Sequence, residues 1–216
     1  MNMTRGWAAL LLTGVAAATV HAAEPGSAER GEKVAAACVA CHQADGSGRN
    51  MSGGESWPRM AGLDADYLYR QLVAVKNGTR QSPTMQGFVG MLDDQQMRDV
   101  AAYYAAMPPT AGQGGEGADE AMLTHGEKLA TRGDWDRYIP PCAGCHGPDN
   151  LGVGSAFPAI AGQNAGYIAD QIRAWKTQRR NNDPVNLMAA VAERLDDRDI
   201  EAVSAWLARQ PSSAKQ

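Results

Sequence analysis

Two short motifs, CVACH and CAGCH, contain the residues of this 216-residue chain that are best suited to chemistry. Each has two cysteines separated by two residues and a histidine directly after the second: Cys38, Cys41 and His42 in the first copy, and Cys142, Cys145 and His146 in the second. Such residues serve four kinds of chemistry, namely paired disulfides, a zinc site, a dithiol redox centre and a covalently attached haem.

The recurrence of histidine favours haem over the alternatives. A zinc site could use all four cysteines, but it would give the adjacent histidines no reason to recur. A thioredoxin-like dithiol follows a strand, whereas the first motif follows a helical pattern and the second a Pro-Pro turn. In haem attachment the two thiols bond to the vinyl groups and the histidine binds the iron. The sequence therefore predicts two covalent haem c groups, with these four cysteines as anchors and these two histidines as axial ligands.

The first 23 residues have the pattern of a secretory signal peptide. Arg5 gives a positively charged start, and an apolar run of about 14 residues follows over 7–20. We expect cleavage after Ala22 or Ala23 and export to the periplasm. The run falls short of the roughly 20 residues that cross a bilayer, so no transmembrane anchor is expected.

The charge balance argues against one class of partner. The formal net charge is −4 and becomes −5 when Arg5 leaves with the signal peptide. A mildly acidic, evenly mixed surface does not suit nucleic acid.

Both motifs lie inside an internal duplication. The pattern GEK-x-A precedes each motif, and P-x-x-A-G-x-x-A-x-Y-x-x-x-Q follows it, over 58–71 and again over 158–171. The glycine-rich stretch between the copies is typical of a linker. We therefore predict a signal peptide over 1–23, a first domain over 24–109, a linker over 110–116 and a second domain over 117–216.

Each copy is predicted to be helical. An opening helix precedes the motif, a middle helix contains the tyrosine and glutamine of the repeat, and a closing helix starts at LDD, where the aspartates suit the N-cap. No run of alternating apolar residues indicates a sheet, so the predicted fold class is all-α.

Two methionines are the best candidates for the second axial position on each iron. Met188 lies seven residues before the second LDD, and Met85 lies seven residues before the first. Their distances from the proximal histidines agree, at 42 residues for Met188 and 43 for Met85. For the other methionines of the first copy, core packing or loop filling is the default interpretation: Met51, Met60, Met91, Met97 and Met107. The spare histidine, His125, is interpreted as an exposed helix residue.

The duplicated motifs, the P-x-x-A-G…Y…Q segments, the methionines before LDD and the insertion GDWDRYIPP resemble the dihaem cytochrome c4 family over nearly the whole chain. The resemblance implies two class I cytochrome c domains that face each other about a pseudo-twofold axis, each wrapped around one haem. It further implies that the carbonyls of Pro58 and Pro158 accept a hydrogen bond from the proximal histidines. Gly31 and Gly126 would let each opening helix pack closely on the closing helix.

Other repeated residues keep two interpretations. Two arginines either reach the haem pocket or are solvated charges at the ends of helices: Arg80 and Arg180. The repeated tyrosines and glutamines either contact the haem or pack in the core: Tyr67, Tyr167, Gln71 and Gln171. The loop over 43–60 is four residues longer than its counterpart, and we expect this difference to alter haem exposure or partner choice in the first domain.

Histidine–methionine ligation closes the iron to substrates and leaves outer-sphere electron transfer. The expected function is that of a periplasmic one-electron carrier and not of an enzyme. It would take electrons from a quinol-oxidising complex, such as a cytochrome bc-type complex, and pass them to a terminal oxidase such as cytochrome oxidase. Peripheral association with the membrane is also expected. The alternative is the dihaem electron-accepting subunit of a periplasmic dehydrogenase, such as a thiosulfate or sulfide dehydrogenase. A haem peroxidase would need a five-coordinate iron, which the methionine pair disfavours.

Overall fold

Helices account for nearly all regular structure in the computed structural model, which describes residues 24–183 and 185–213. Those residues form ten α-helices: α1 (Ala28–Val34), α2 (Val39–His42), α3 (Ala65–Lys76), α4 (Pro83–Gly90), α5 (Asp94–Ala106), α6 (Glu120–Thr131), α7 (Ala143–His146), α8 (Ala165–Lys176), α9 (Leu187–Arg194) and α10 (Asp197–Ala208). Over the same ranges, strand-like pairing is limited to isolated bridges. The all-α prediction is confirmed; the predicted signal peptide lies outside the described residues.

The two halves repeat one arrangement of five helices. The opening helix packs on the closing helix in each, α1 on α5 and α6 on α10. A glycine makes each contact possible, because a Cβ built on Gly31 would lie 2.0 Å from the carbonyl oxygen of Asp99. A Cβ on Gly126 would lie 2.2 Å from that of Ala202. The expected close approach of opening and closing helices is therefore present in both halves.

The closing helices begin as the aspartates of LDD predict. Asp93 caps α5 by accepting from the Gln96 backbone N–H, while the Gln96 side chain accepts from the backbone of Asp93. Asp196 and Asp199 form the same reciprocal box at the start of α10. Each box satisfies two backbone donors that the first helical turn leaves without partners.

Helices α4 and α9 were not predicted. Each has eight residues, and α4 contains two glycines in the sequence PTMQGFVG. Short segments with so little apolar periodicity give a weak helical signal. Their position matters for function, because α4 contains Met85 and α9 contains Met188.

The halves are joined by backbone pairing across an approximate twofold relation. Arg80 and Arg180, which occupy equivalent repeat positions, form an antiparallel bridge. Beside it the Gln81 N–H donates to the carbonyl of Arg179 at 2.7 Å, and the Asn181 N–H donates to the carbonyl of Thr79 at 2.6 Å. The segments that follow the two middle helices therefore meet each other directly.

The predicted linker is held by hydrogen bonds to both halves. The Gln113 carbonyl accepts from the Ala165 N–H at 2.9 Å, and the Gln113 N–H donates to Asn164 Oδ1 at 3.0 Å. Its side-chain oxygen accepts from the Asn50 N–H at 3.1 Å. This part of the linker therefore belongs to the contact between the halves.

In the part of the chain that the structure describes, no helix combines the length and the apolar character required to cross a bilayer.

Substitution of Gly31 by alanine tests the helix contact. The added methyl would meet the Asp99 backbone, so we expect Gly31→Ala to lower the free energy of unfolding by about 3 kcal/mol or more, the upper end for overpacking. Chemical denaturation of the holoprotein, followed by circular dichroism, measures this.

Gly87→Ala in α4 is the matched control, because a Cβ there has no neighbour within 4 Å. Alanine in an open helical position stabilises by roughly 0.5–1 kcal/mol. Equal effects of the two substitutions would contradict the proposed close contact.

Candidate haem sites

Each cysteine motif forms a single helical turn. The His42 N–H donates to the carbonyl of Cys38 at 2.9 Å, and the His146 N–H donates to that of Cys142 at the same distance. Residues three apart in a helical turn share a face, so both cysteines of a motif are presented together with the histidine beside them. The structure thus brings the three residues of each motif into one attachment unit.

The thiols of Cys38 and Cys142 do not have the character of an activated redox thiol. None of the four cysteines, all in the described part of the chain, is paired in a disulfide. Burial raises the pKa of the Cys38 thiol and raises that of Cys142 to about 11. Redox-active dithiols instead have a thiol whose pKa is lowered by nearby positive charge.

The two histidines are buried and fixed through the same ring nitrogen. Nδ1–H of His42 donates to the carbonyl of Pro58 at 3.2 Å, and Nδ1–H of His146 donates to that of Pro158 at 2.7 Å. Burial lowers the pKa of both imidazoles. A neutral ring whose Nδ1 carries the proton keeps Nε2 as the metal-binding atom, which is the orientation that a proximal ligand requires.

A cavity of about 510 Å³ adjoins the first motif. Cys38, Cys41 and His42 line it on one side and Met85 of α4 lines it as well, and its volume falls in the range typical of cofactor pockets. Charged residues of both halves also line it: Arg59, Arg80, Arg179, Arg180, Glu55 and Asp170. Two thiols, an oriented imidazole, a thioether and a surplus of cations suit haem, whose propionates are anionic.

Met85 and Met188 occupy equivalent places in the two halves. Met85 is partly buried and packs against the cluster of Val75, Val89 and Met97. Met188 is partly buried against the core of the second half. Their assignment as iron ligands stays a prediction.

The cavity has a second methionine in its wall, Met60. The repeat places Ile160 opposite Met60, so a ligand arrangement common to both halves cannot use it. Met97 is buried in the core and Met91 is 73% exposed, in keeping with packing and surface roles.

Arg80 and Arg180 are interface residues, and their interpretation as solvated helix-end charges is wrong. Arg80 Nη2 donates to the hydroxyl of Tyr167 at 2.7 Å and to Gln171 Oε1 at 3.0 Å. Arg180 Nη2 donates to Gln71 Oε1 at 2.9 Å, and its contact with the Tyr67 hydroxyl is 3.3 Å. Each arginine therefore binds the middle helix of the opposite half, which the sequence did not reveal.

His125 is also placed differently from the prediction. Its side chain is 25% exposed, and Nε2 lies 2.7 Å from Oδ1 of the buried Asp199 in α10. Arg137, from the insertion GDWDRYIPP, binds the same carboxylate at 2.8 Å. The insertion and the opening helix are therefore tied to the closing helix, and His125 serves the fold.

The longer loop of the first half reaches the second half. Asn50 Oδ1 accepts from the Gly166 N–H at the start of α8, at 2.7 Å. A Cβ on Gly166 would lie 2.3 Å from Ser56 Oγ, so glycine permits this approach. The extra residues thus extend the contact between the halves.

Comparisons with known proteins agree with this architecture. The sequence model described as cytochrome c matches residues 28–107 and 123–210. The thiosulfate dehydrogenase electron acceptor of Thiomonas intermedia is 43% identical over 191 residues, which cover 88% of this chain and 86% of that protein.

Two solved structures are also similar. Reduced recombinant cytochrome c4 from Pseudomonas stutzeri has a TM-score of 0.77 and 34% identity, covering 86% of this chain and 100% of that one. The thiosulfate dehydrogenase TsdBA from Marichromatium purpuratum has a TM-score of 0.79 and 37% identity over 87% of this chain. The present chain spans 41% of the length of that protein.

Alanine substitution of the methionines tests the axial ligands. Met85→Ala and Met188→Ala should each remove thioether ligation from one of the two haems, because no other methionine has an equivalent in both halves. The weak long-wavelength charge-transfer band of methionine-bound ferric haem should fall by about half in each variant.

Met60→Ala and Met91→Ala are the controls. Met60 lines the same cavity and Met91 lies at the surface, so both variants should keep the full band. Loss of the band in Met60→Ala, or its retention in Met85→Ala, would show that the assignment in the first half is wrong.

Proposed function

This chain belongs to the cytochrome c family, with two copies of the domain and two covalent haem c groups, and on that premise we propose that it accepts electrons from a periplasmic thiosulfate dehydrogenase. The observation that supports this most strongly is the duplicated attachment unit, in which a buried histidine is oriented by a proline carbonyl. The haem supplies an iron that takes up and releases one electron. A chain with two such units can hold two electrons.

The protein residues prepare this chemistry without taking part in bond making. The cysteine thiols anchor the cofactor, and the proline carbonyls fix the histidine rings. Met85 and Met188 are proposed to fill the remaining axial positions. With both positions filled by protein residues, substrate would be excluded from the metal, and a thioether ligand would raise the reduction potential relative to a second imidazole. These features suit outer-sphere electron transfer between proteins.

Similarity favours a dehydrogenase as the electron donor. Identity to the electron acceptor of Thiomonas intermedia is 43%, compared with 34% to the cytochrome c4 structure. TsdBA is named as a thiosulfate dehydrogenase, and a region comparable to this chain makes up about two fifths of it. These likenesses favour the second function expected from the sequence, the electron-accepting subunit of a dehydrogenase. The respiratory carrier, which was the first expectation, has less support.

Transfer between a quinol-oxidising complex and a terminal oxidase is the second candidate. Its support is the match to cytochrome c4, which covers the whole of that protein. Both candidates require a periplasmic location, which the signal peptide predicted from the sequence supports. Peripheral contact with a membrane complex fits the second candidate.

Reduction by enzyme distinguishes the two candidates. Oxidised holoprotein is mixed with a catalytic thiosulfate dehydrogenase and thiosulfate, or with a quinol-oxidising complex and quinol, and haem reduction is followed by visible absorbance. We expect faster reduction by the dehydrogenase, with two electrons taken up per chain.

A paired variant checks the stoichiometry. Cys142→Ala with Cys145→Ala removes the anchors of one haem and should lower uptake to one electron per chain. Thiosulfate without the dehydrogenase should reduce neither protein. Reduction by the quinol-oxidising complex alone would favour the second candidate and contradict the first.

A further inference from the structure

The peptide group between Pro58 and Arg59 is hydrogen-bonded at both of its ends. Its carbonyl, which belongs to Pro58, accepts from Nδ1–H of His42 at 3.2 Å. Its N–H, which belongs to Arg59, donates to Oε1 of Gln163 at 2.7 Å. The two ends of a trans peptide point in opposite directions, so this group lies between the histidine and the glutamine. One peptide group therefore connects the predicted proximal ligand of the first haem to a side chain of the second domain.

Gln163 is fixed in a single orientation by its own hydrogen bonds. Its Nε2 donates to the Arg59 carbonyl at 2.9 Å, and its Oε1 also accepts from the Asn164 N–H at 2.9 Å. An exchange of the amide oxygen and nitrogen would place donors against donors, so the assignment is unambiguous. The side chain is 4% exposed, so water has little access to these contacts. We call this pairing the clasp of Arg59 with Gln163.

Asn164 holds the chain on the other side of Pro58. Its Nδ2 donates to the carbonyl of Trp57 at 2.8 Å and to that of Ser47 at 3.1 Å. Asn164 is completely buried. The peptide groups before and after Pro58 are therefore both held by neighbouring side chains of the second domain.

The repeat does not provide this support in the other direction. Leu63 and Asp64 stand opposite Gln163 and Asn164. Leucine has no hydrogen-bonding side chain, and the Asp64 carboxylate caps α3. Among the described residues, the carbonyl of Pro158 thus has no matching clasp from the first domain.

The contact of His42 with its proline depends more on such support than that of His146. A distance of 3.2 Å lies at the long end of the range for N–H···O hydrogen bonds, whereas 2.7 Å lies at the short end. A hydrogen bond to the N–H of a peptide group also polarises that group and makes its carbonyl a better acceptor. The clasp therefore both fixes the Pro58 carbonyl in space and strengthens its bond to the imidazole.

We propose that Gln163 is a positioning residue for the first haem, which acts through the Pro58–Arg59 peptide to hold the His42 ring in its metal-binding orientation. The first haem site is then complete only when the second domain is docked against it. Groups that orient a histidine ligand from outside the coordination sphere contribute to how well the metal is held. The inference requires two haems and does not depend on which partner supplies the electrons.

The test measures hydrogen exchange at the two histidine rings. The described residues contain three histidines, His42, His125 and His146, so ¹⁵N-histidine labelling gives few ring signals in NMR spectra of the ferrous dihaem protein. Gln163→Leu introduces the residue that the repeat has at the opposite position. It should make the His42 Nδ1–H exchange roughly fivefold to tenfold faster, the effect of losing one hydrogen bond of typical net strength, and leave His146 unchanged.

Gln163→Glu is the conservative variant, because it keeps the oxygen that accepts from the Arg59 N–H. Its His42 exchange rate should stay near that of the wild type. Equal acceleration in Gln163→Glu and Gln163→Leu would show that this acceptor is not responsible and would overturn the proposal.

Gln113→Leu is the matched control, because it removes another amide that joins the halves. Gln113 Oε1 accepts from the Asn50 N–H at 3.1 Å and Nε2 donates to the Gly48 carbonyl at 3.4 Å, away from the Pro58–Arg59 peptide. Its His42 exchange rate should match the wild type. Equal acceleration in both leucine variants would reveal only a loosened interface and contradict a positioning role.

The wild type decides if Gln163→Leu fails to take up haem. An Arg59 amide proton that is protected from exchange at least as well as the His42 ring proton supports the proposal. An Arg59 amide that exchanges as fast as an exposed loop amide overturns it.

Discussion

The contact between opening and closing helices at Gly31 and Gly126 is the constraint on which the rest of each domain depends. The cysteine motif follows the opening helix, so the place where that helix touches the closing helix sets where the thiols and the imidazole lie. A side chain at either glycine would overlap a backbone carbonyl of the closing helix. The histidine can then meet a proline carbonyl that arrives from a distant loop, at 3.2 Å in one half and 2.7 Å in the other. Packing of two helices thus contributes to the orientation of a predicted metal ligand.

The interface between the halves has an unusual composition, because its buried and partly buried cations bind neutral acceptors. Arg59 binds backbone carbonyls, while Arg80 and Arg180 bind tyrosine hydroxyls and glutamine oxygens. Removing a guanidinium from water is costly unless its donors are satisfied, and carbonyl and amide oxygens satisfy them without cancelling the charge. The result is a fixed positive potential beside the first cavity. An acidic cofactor placed there would meet charges that the protein has already oriented.

The features that could be predicted from the sequence are those that depend on local pattern. The CxxCH spacing, the aspartate caps of the closing helices and the glycines of the opening helices repeat in register, so each copy supports the interpretation of the other. Helices α4 and α9 were missed because eight residues with little apolar periodicity give a weak signal. The roles of Arg80 and Arg180 depend on side chains about 90 to 110 residues away in the chain, and the pairing of His125 with Asp199 spans 74 residues. No local pattern encodes such tertiary partners.

The two halves repeat one arrangement of helices, but the contact between them is not fully symmetric. The present chain departs from its own repeat at several places that bear on the contact between the halves: the longer loop at Asn50, the linker residue Gln113 and the clasp of Arg59 with Gln163. All three bring polar groups of one half into contact with the other. The clasp places a buried guanidinium at the contact between the halves. Because each of these contacts uses a residue that the other half does not share, part of the interface is asymmetric, while the shared helices and proline carbonyls hold the two histidines in the same orientation.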